Sequence, residues 1–130
     1  MAIKIYGRLS SANVQKINWF CEYANVNVIN LNYGGIHGKT QTTEFKDMNP
    51  NSRVPVLDDD NFILYESNAI LRYLSKKFDI LVEEKKEISA KIDQWIDWGS
   101  FTFASPCSLL TAHKLSLPQD QRDELIAEKA

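Results

Sequence analysis

The chain opens with apolar positions alternating with polar ones: Ile3 and Ile5 flank Lys4, and a turn follows at Gly7. A period of two belongs to a strand with one buried face, so "AIKIYG" predicts a short half-buried strand. The spacing then changes. In "SSANVQKINWFCEYA" the residues Val14, Ile17, Cys21 and Ala24 recur every three or four positions, which predicts a helix that Ser10 or Ser11 is suited to cap. "VNVINLNY" returns to strand character, with a break of phase between Val26, Val28 and Ile29, Leu31. Strand, helix and strand in that order imply parallel pairing through a crossover.

After a glycine-rich loop, "TTEFKDMN" leaves room for one or two helical turns before Pro50. Two apolar runs, 54–57 and 62–65, are then joined by the acidic and amide residues 58–61, the pattern of a hairpin. "ESNAILRYLSKKF" predicts a helix starting at Glu66 or Ser67, with Ile70, Leu71 and Leu74 as its apolar stripe. Residues 2–78 thus read β-α-β-α-β-β-α. The character changes from about Asp79. A charge-rich linker, 79–86, leads into residues 87–130, where Ile88, Ile92, Trp95 and Gly99 recur at helical spacing. Pro106 is expected to kink this long helix or end its first part. A last segment begins like a helix after Pro118.

Composition narrows the function classes. The chain has 130 residues, 44% of them hydrophobic and 25% charged, which suits a soluble protein with a real core. Its net charge of −2, without a basic stripe carrying interleaved aromatics, gives no reason to expect nucleic acid as a partner. No apolar run approaches a membrane span, and the first residues enter a strand pattern instead of a signal peptide. Cys21 and Cys107 form no CxxC pair, so both are expected to be reduced structural thiols in a cytoplasmic protein. His37 and His113 lack partners at metal-ligand spacing, and no metal is expected.

One stretch invites a different reading. "YGGIHGKT" ends like the phosphate loop G-x-x-x-x-G-K-[ST], but the position five before Gly38 is Tyr33, and Gly34 and Gly35 come too late. "VPVLDD" resembles the apolar strand and acid that hold magnesium beside such a loop. Its second acid, however, falls in the expected hairpin turn, and the helix after the loop is too short. A nucleotide hydrolase is therefore set aside.

The residues that decide the family are "NPNSRVPVLDDDNFILYESNAILRYL". This segment resembles the N-terminal domain of a glutathione S-transferase, whose motif is N-P-x-x-x-[VI]-P-x-L, an acidic hairpin, and E-S-x-A-I-x-x-Y-L. "LSSANVQKINWFCEYA" and "DQWIDW" resemble bacterial theta-like or nu-like members. The resemblance implies an α/β fold: a thioredoxin-like domain over 1–78 with a mixed four-stranded sheet, then an all-α domain, here shortened. Family members carry several further helices, so dimerisation, exchange of elements or another chain is expected to cover the exposed apolar faces.

The resemblance also implies a site and a reaction. Pro55 is expected to be cis, turning Val54 outward to pair its backbone with the cysteinyl part of glutathione, like an added strand. Arg53, in the same segment, is a further glutathione-binding candidate. Ser67, at a helix start, suits the γ-glutamyl carboxylate, and Glu66 the ammonium. Lys39 is a candidate partner for the glycyl carboxylate, with His37 as a second. A hydrogen-bond donor favours the nucleophilic thiolate, and in serine-type members that donor lies at the start of the first helix. Ser11 occupies that position. Ser10 is the donor if the turn shifts by one, and Asn13 is a further candidate because nu-like enzymes use a Thr/Asn pair nearby. Tyr6 falls one residue too early for a tyrosine-type donor. Trp95, Trp98, Phe101 and Phe103 suit an apolar pocket beside the thiol, or a bundle core or dimer interface. The implied activity is conjugation of glutathione to a small apolar electrophile by a homodimeric detoxification enzyme. Glutathione-dependent disulfide or peroxide reduction, or a non-catalytic glutathione-binding or dimerisation module, are the alternatives.

Overall fold

A computed structural model describes residues 2–111 and 118–121. The chain divides into two compact units, 1–82 and 83–130. Of the helix expected after Pro118 the described residues show one 3-10 turn, Gln119–Gln121; the rest of it and His113 lie outside them.

The first unit follows the expected order. Strand β1 is Ile3–Tyr6, α1 is Ala12–Tyr23, β2 is Val28–Leu31, α2 is Thr43–Met48, β3 is Val56–Asp59, β4 is Phe62–Tyr65 and α3 is Ser67–Phe78. The sheet runs β2-β1-β3-β4, with β1 parallel to β2 and antiparallel to β3, and β3 antiparallel to β4. This is the mixed, thioredoxin-like sheet anticipated above. The periodic residues of β1 and α1 meet in one core, where Ile3, Ile5, Val14, Ile17, Phe20 and Cys21 pack with Leu57, Ile70 and Leu74. Helices α1 and α3 pack against each other there, and that pairing places their first turns within reach of one another.

Local chemistry explains several boundaries. Helix α1 stops because Asn25 takes a left-handed φ of 53°, and the N–H groups of Asn25 and Val26 return to the carbonyls of Glu22 and Cys21. Val26 is thereby committed to the helix end, and β2 begins only at Val28. Strand β3 begins at Val56 rather than Val54, since Pro55 has no N–H to give a ladder.

The hairpin turn is shorter than expected. Asp58 and Asp59 belong to the strand and are buried, and the turn shrinks to Asp60 and Asn61, with φ of 55° and 71°. Cations make this possible. Lys4, directly opposite on β1, holds Asp58 at 3.0 Å, while Lys77 and the Tyr73 hydroxyl hold Asp59. Both acids are thus engaged in structural pairs.

In the second unit, α4 (Lys86–Asp97) continues through a π-helical turn, Trp98–Phe103, into α5 (Ala104–Thr111). Pro106 therefore does not end the helix. The Ala104 N–H reaches back five residues to the Gly99 carbonyl, and this widening just ahead of Pro106 takes the place of the expected break. The stripe of Ile88, Ile92, Trp95 and Trp98 is exposed, with Trp95 at 65%. Trp98 meets Trp95 edge-on at 5.5 Å and stacks on Phe103 at 5.7 Å.

Candidate functional site

Three segments of the first unit carry the candidate residues, and short-range chemistry shapes each. Ser11 is the residue before α1. Its carbonyl accepts from the N–H groups of Val14 and Gln15, but its hydroxyl makes no capping bond, so capping does not occupy that group. Ser10 is exposed in the preceding turn. Asn13, the second residue of the helix, uses its Oδ1 to accept a hydrogen bond from Ser67 Oγ at 3.2 Å. With that oxygen engaged, the donors of Asn13 are its amide hydrogens.

Ser67 is the first residue of α3 and is buried, at 8% exposure. The residue before the helix is Glu66, which adopts a φ of 68° and also makes no side-chain cap. Ser67 is therefore not an N-cap, and its hydroxyl links α3 to α1. Glu66 is exposed, its carbonyl taken by the Ile70 N–H at 2.9 Å.

The Val54-Pro55 bond is cis. Val54 is half-buried and lies ahead of the β3 ladder. The loop that delivers it is organised by Asn49, 2% exposed, whose side chain donates to the Arg53 carbonyl at 2.8 Å and accepts from the Asn51 N–H at 3.0 Å. Arg53 thus serves this loop through its backbone, and its side chain is exposed. Gly7 fixes the spacing between Val54 and α1. A Cβ there would stand 2.4 Å from Val14 Cγ2 and 3.4 Å from Val54 Cβ.

The glycine-rich loop closes on itself. Gly34 N–H bonds to the Gly38 carbonyl at 2.8 Å, Gly38 N–H to Gly35, and His37 N–H to Gly34. A phosphate cradle needs those N–H groups to face an anion, and here they are spent internally. Lys39, with φ 68°, holds its ammonium 5.2 Å from the centre of the Tyr33 ring; His37 is exposed. Tyr6 packs edge-on against Tyr33 at 5.1 Å, and burial together with Asp58 raises its phenol pKa, which makes it a poor acid.

The structure thus joins Asn13 to Ser67 directly, and Val54 to the start of α1 through Gly7. It does not bring Lys39 or Arg53 into those contacts. Sequence reasoning missed three contributors. Asn49 was visible only as part of the N-P motif. Arg8 lays its side chain along Gly34 and Gly35, which a period-based reading cannot see. Lys16 lies three residues after Asn13, on the same face of α1, and that spacing was the available signal.

Comparison with known proteins identifies the family that shares this fold. The family described as glutathione S-transferase, N-terminal domain, matches residues 1–76. Glutathione S-transferase GstB of Escherichia coli (strain K12) is 31% identical over 126 residues, covering 94% of this chain and 61% of GstB. Human glutathione S-transferase theta-1 is 33% identical over 86 residues, 64% of this chain and 36% of that protein. Among solved structures, the theta class glutathione S-transferase from Xanthomonas axonopodis pv. citri, with glutathione bound, superposes with a TM-score of 0.91 at 36% identity, covering 98% of this chain and 62% of that one. The chain therefore spans about three fifths of the length of these two bacterial relatives. With the family match over its first 76 residues and the fold that carries it, the chain belongs to the glutathione S-transferase family.

Proposed function

We propose that this chain binds glutathione and transfers its thiolate to a small apolar electrophile. The observation that carries the proposal is the hydrogen bond from Ser67 to Asn13, which places a γ-glutamyl-binding candidate and a thiol-side candidate on adjoining helix starts. In this reading the Val54 backbone pairs with the cysteinyl unit as an added strand. The backbone N–H of Ser67 and the other first N–H groups of α3 receive the γ-glutamyl carboxylate, the Ser67 hydroxyl having given its one proton to Asn13, with Glu66 on the ammonium. Lys39 moves from Tyr33 to the glycyl carboxylate.

The Ser11 hydroxyl donates to the sulfur, and the N-terminal end of α1 adds positive potential, so the thiol gives its proton to solvent more readily. The thiolate then attacks the electrophilic carbon. A C–S bond forms as the carbon–halogen bond breaks, and halide leaves with the electron pair. We further propose a cytoplasmic homodimer acting in detoxification. No helix among the described residues is long and apolar enough to cross a membrane.

Turnover of a chlorinated nitroaromatic with glutathione tests the reading. Ser11→Ala is expected to slow it, and equal rates for Ser11→Ala and wild type would remove Ser11 from the mechanism. The engaged Oδ1 of Asn13 motivates a second reading, glutathione-dependent disulfide or peroxide reduction, with the Asn13 amide as the main donor to sulfur. Under it, Asn13→Ala loses more activity than Ser11→Ala, on a disulfide or peroxide substrate.

A further inference from the structure

The Asn13–Ser67 bond has a companion. One turn along the same face of α1, Lys16 Nζ donates to Asn68 Oδ1 at 2.5 Å. The residues at i and i+3 of one helix thereby grip consecutive residues at the start of the other, forming a two-point attachment. Helix surface lysines ordinarily carry their ammonium out to water. Lys16 is half-buried instead, and burial lowers its pKa, opposed by the negative charge of Glu66.

The place it occupies is also the wrong end of α3 for a cation, because a helix N-terminus is itself positive. Within the fold, the Glu66 carboxylate offsets that cost in part. An arriving carboxylate offsets it further, since it gains from the lysine charge as well as from the helix.

We propose that Lys16 is a positioning residue for the γ-glutamyl end of the site: gripping Asn68, it holds the first turn of α3 in register with α1 and keeps a positive charge behind Ser67. This rests on the glutathione reading above. The position of Lys16 gives it no part in activating the thiol, so its removal weakens glutathione capture while the chemical step proceeds.

The test is calorimetric titration of glutathione and of γ-glutamylcysteine, which keeps the γ-glutamyl arm and lacks the glycine, onto wild type, Lys16→Met, Lys16→Arg and Asn68→Ala. Lys16→Met is expected to weaken both thiols by about tenfold, Asn68→Ala by several-fold, and Lys16→Arg to recover most of the loss. In turnover, Lys16→Met raises KM for glutathione and leaves kcat within about twofold. Unchanged affinity in Lys16→Met, a loss confined to glutathione, or a loss in kcat that Lys16→Arg does not restore would each overturn the proposal. If Lys16→Met does not fold, Asn68→Ala decides: normal affinity there overturns it. Wild type that binds neither thiol refutes the glutathione reading itself, a result distinct from all of these.

Discussion

Gly7 is the point where the packing of the core and the geometry of the site meet, and Gly7→Ala tests that link. Its φ is not left-handed, so alanine is compatible with the backbone and gains about 0.4–1 kcal/mol by restricting the unfolded chain. Space is the obstacle. The new methyl would stand 2.4 Å from Val14 Cγ2, about 1 Å inside ordinary contact. Val14 is fully buried on a helix, where a β-branched side chain has one strongly preferred rotamer, so it cannot swing away. Overpacking of this kind costs about 1–3 kcal/mol, and the middle of both ranges leaves a net destabilisation of about 1.3 kcal/mol. The same methyl would stand at ordinary contact, 3.4 Å, from Val54 Cβ, so stability is expected to respond more than glutathione affinity.

Val14→Ala opens the space at its own cost of about 2 kcal/mol. In the double variant the added methyl fills part of that cavity. The two losses should then fall short of additivity by about 1–2 kcal/mol, within the range measured for touching residues. Urea unfolding of the four proteins by far-ultraviolet circular dichroism measures this. Wild-type stability in Gly7→Ala, or strict additivity in the double variant, refutes the close-approach argument.

Three further outcomes follow from particular groups. Ser11→Ala should lower kcat/KM for conjugation by roughly 10- to 100-fold, the worth of one hydrogen bond to a charged partner, in a stopped-time assay with saturating electrophile. Burial by itself raises the pKa of Asp59, but hydrogen bonds from Lys77 and Tyr73 outweigh it and leave the carboxyl below its ordinary value. A depressed folded-state pKa stabilises above the unfolded value of about 3.9 and is lost as pH falls through the folded one, so Asp59→Asn should flatten the acid limb of stability below about pH 4 in pH-resolved urea melts. Burial pushes the Cys21 thiol up to about 11, so at pH 8 a disulfide reagent should titrate the half-buried Cys107 in the native protein and Cys21 only after unfolding.

Much of the first unit was legible because its periodicities are local. Ile3 and Ile5 announced β1, Val14, Ile17 and Cys21 announced α1, and the runs around residues 54–57 and 62–65 announced the hairpin. What escaped depended on partners distant in sequence. Asp58 and Asp59 read as turn residues, because Lys4 and Lys77, which draw them into the strand, lie far from them in sequence. Pro106 read as a kink or an end, because nothing in a pattern of apolar spacing announces a π-helical turn. At the candidate site the motif pointed to Val54, Glu66 and Ser67. The contact that joins Ser67 to Asn13 spans 54 residues, and that between Lys16 and Asn68 spans 52, so the local spacing of Asn13 and Lys16 marks a shared helix face but not the partners it meets. The glycine-rich loop was recognised as no phosphate loop from a misplaced glycine, and its internally spent N–H groups give the physical reason.

Glutathione titrated into the isotopically labelled chain, followed by backbone amide resonances, tests the central claim most directly. The account predicts that the amides of Ser11, Asn13, Val54 and Ser67 shift together along one binding isotherm, although no two of these residues are adjacent in sequence. Shifts confined to residues 86–111, or none up to millimolar glutathione, would contradict it.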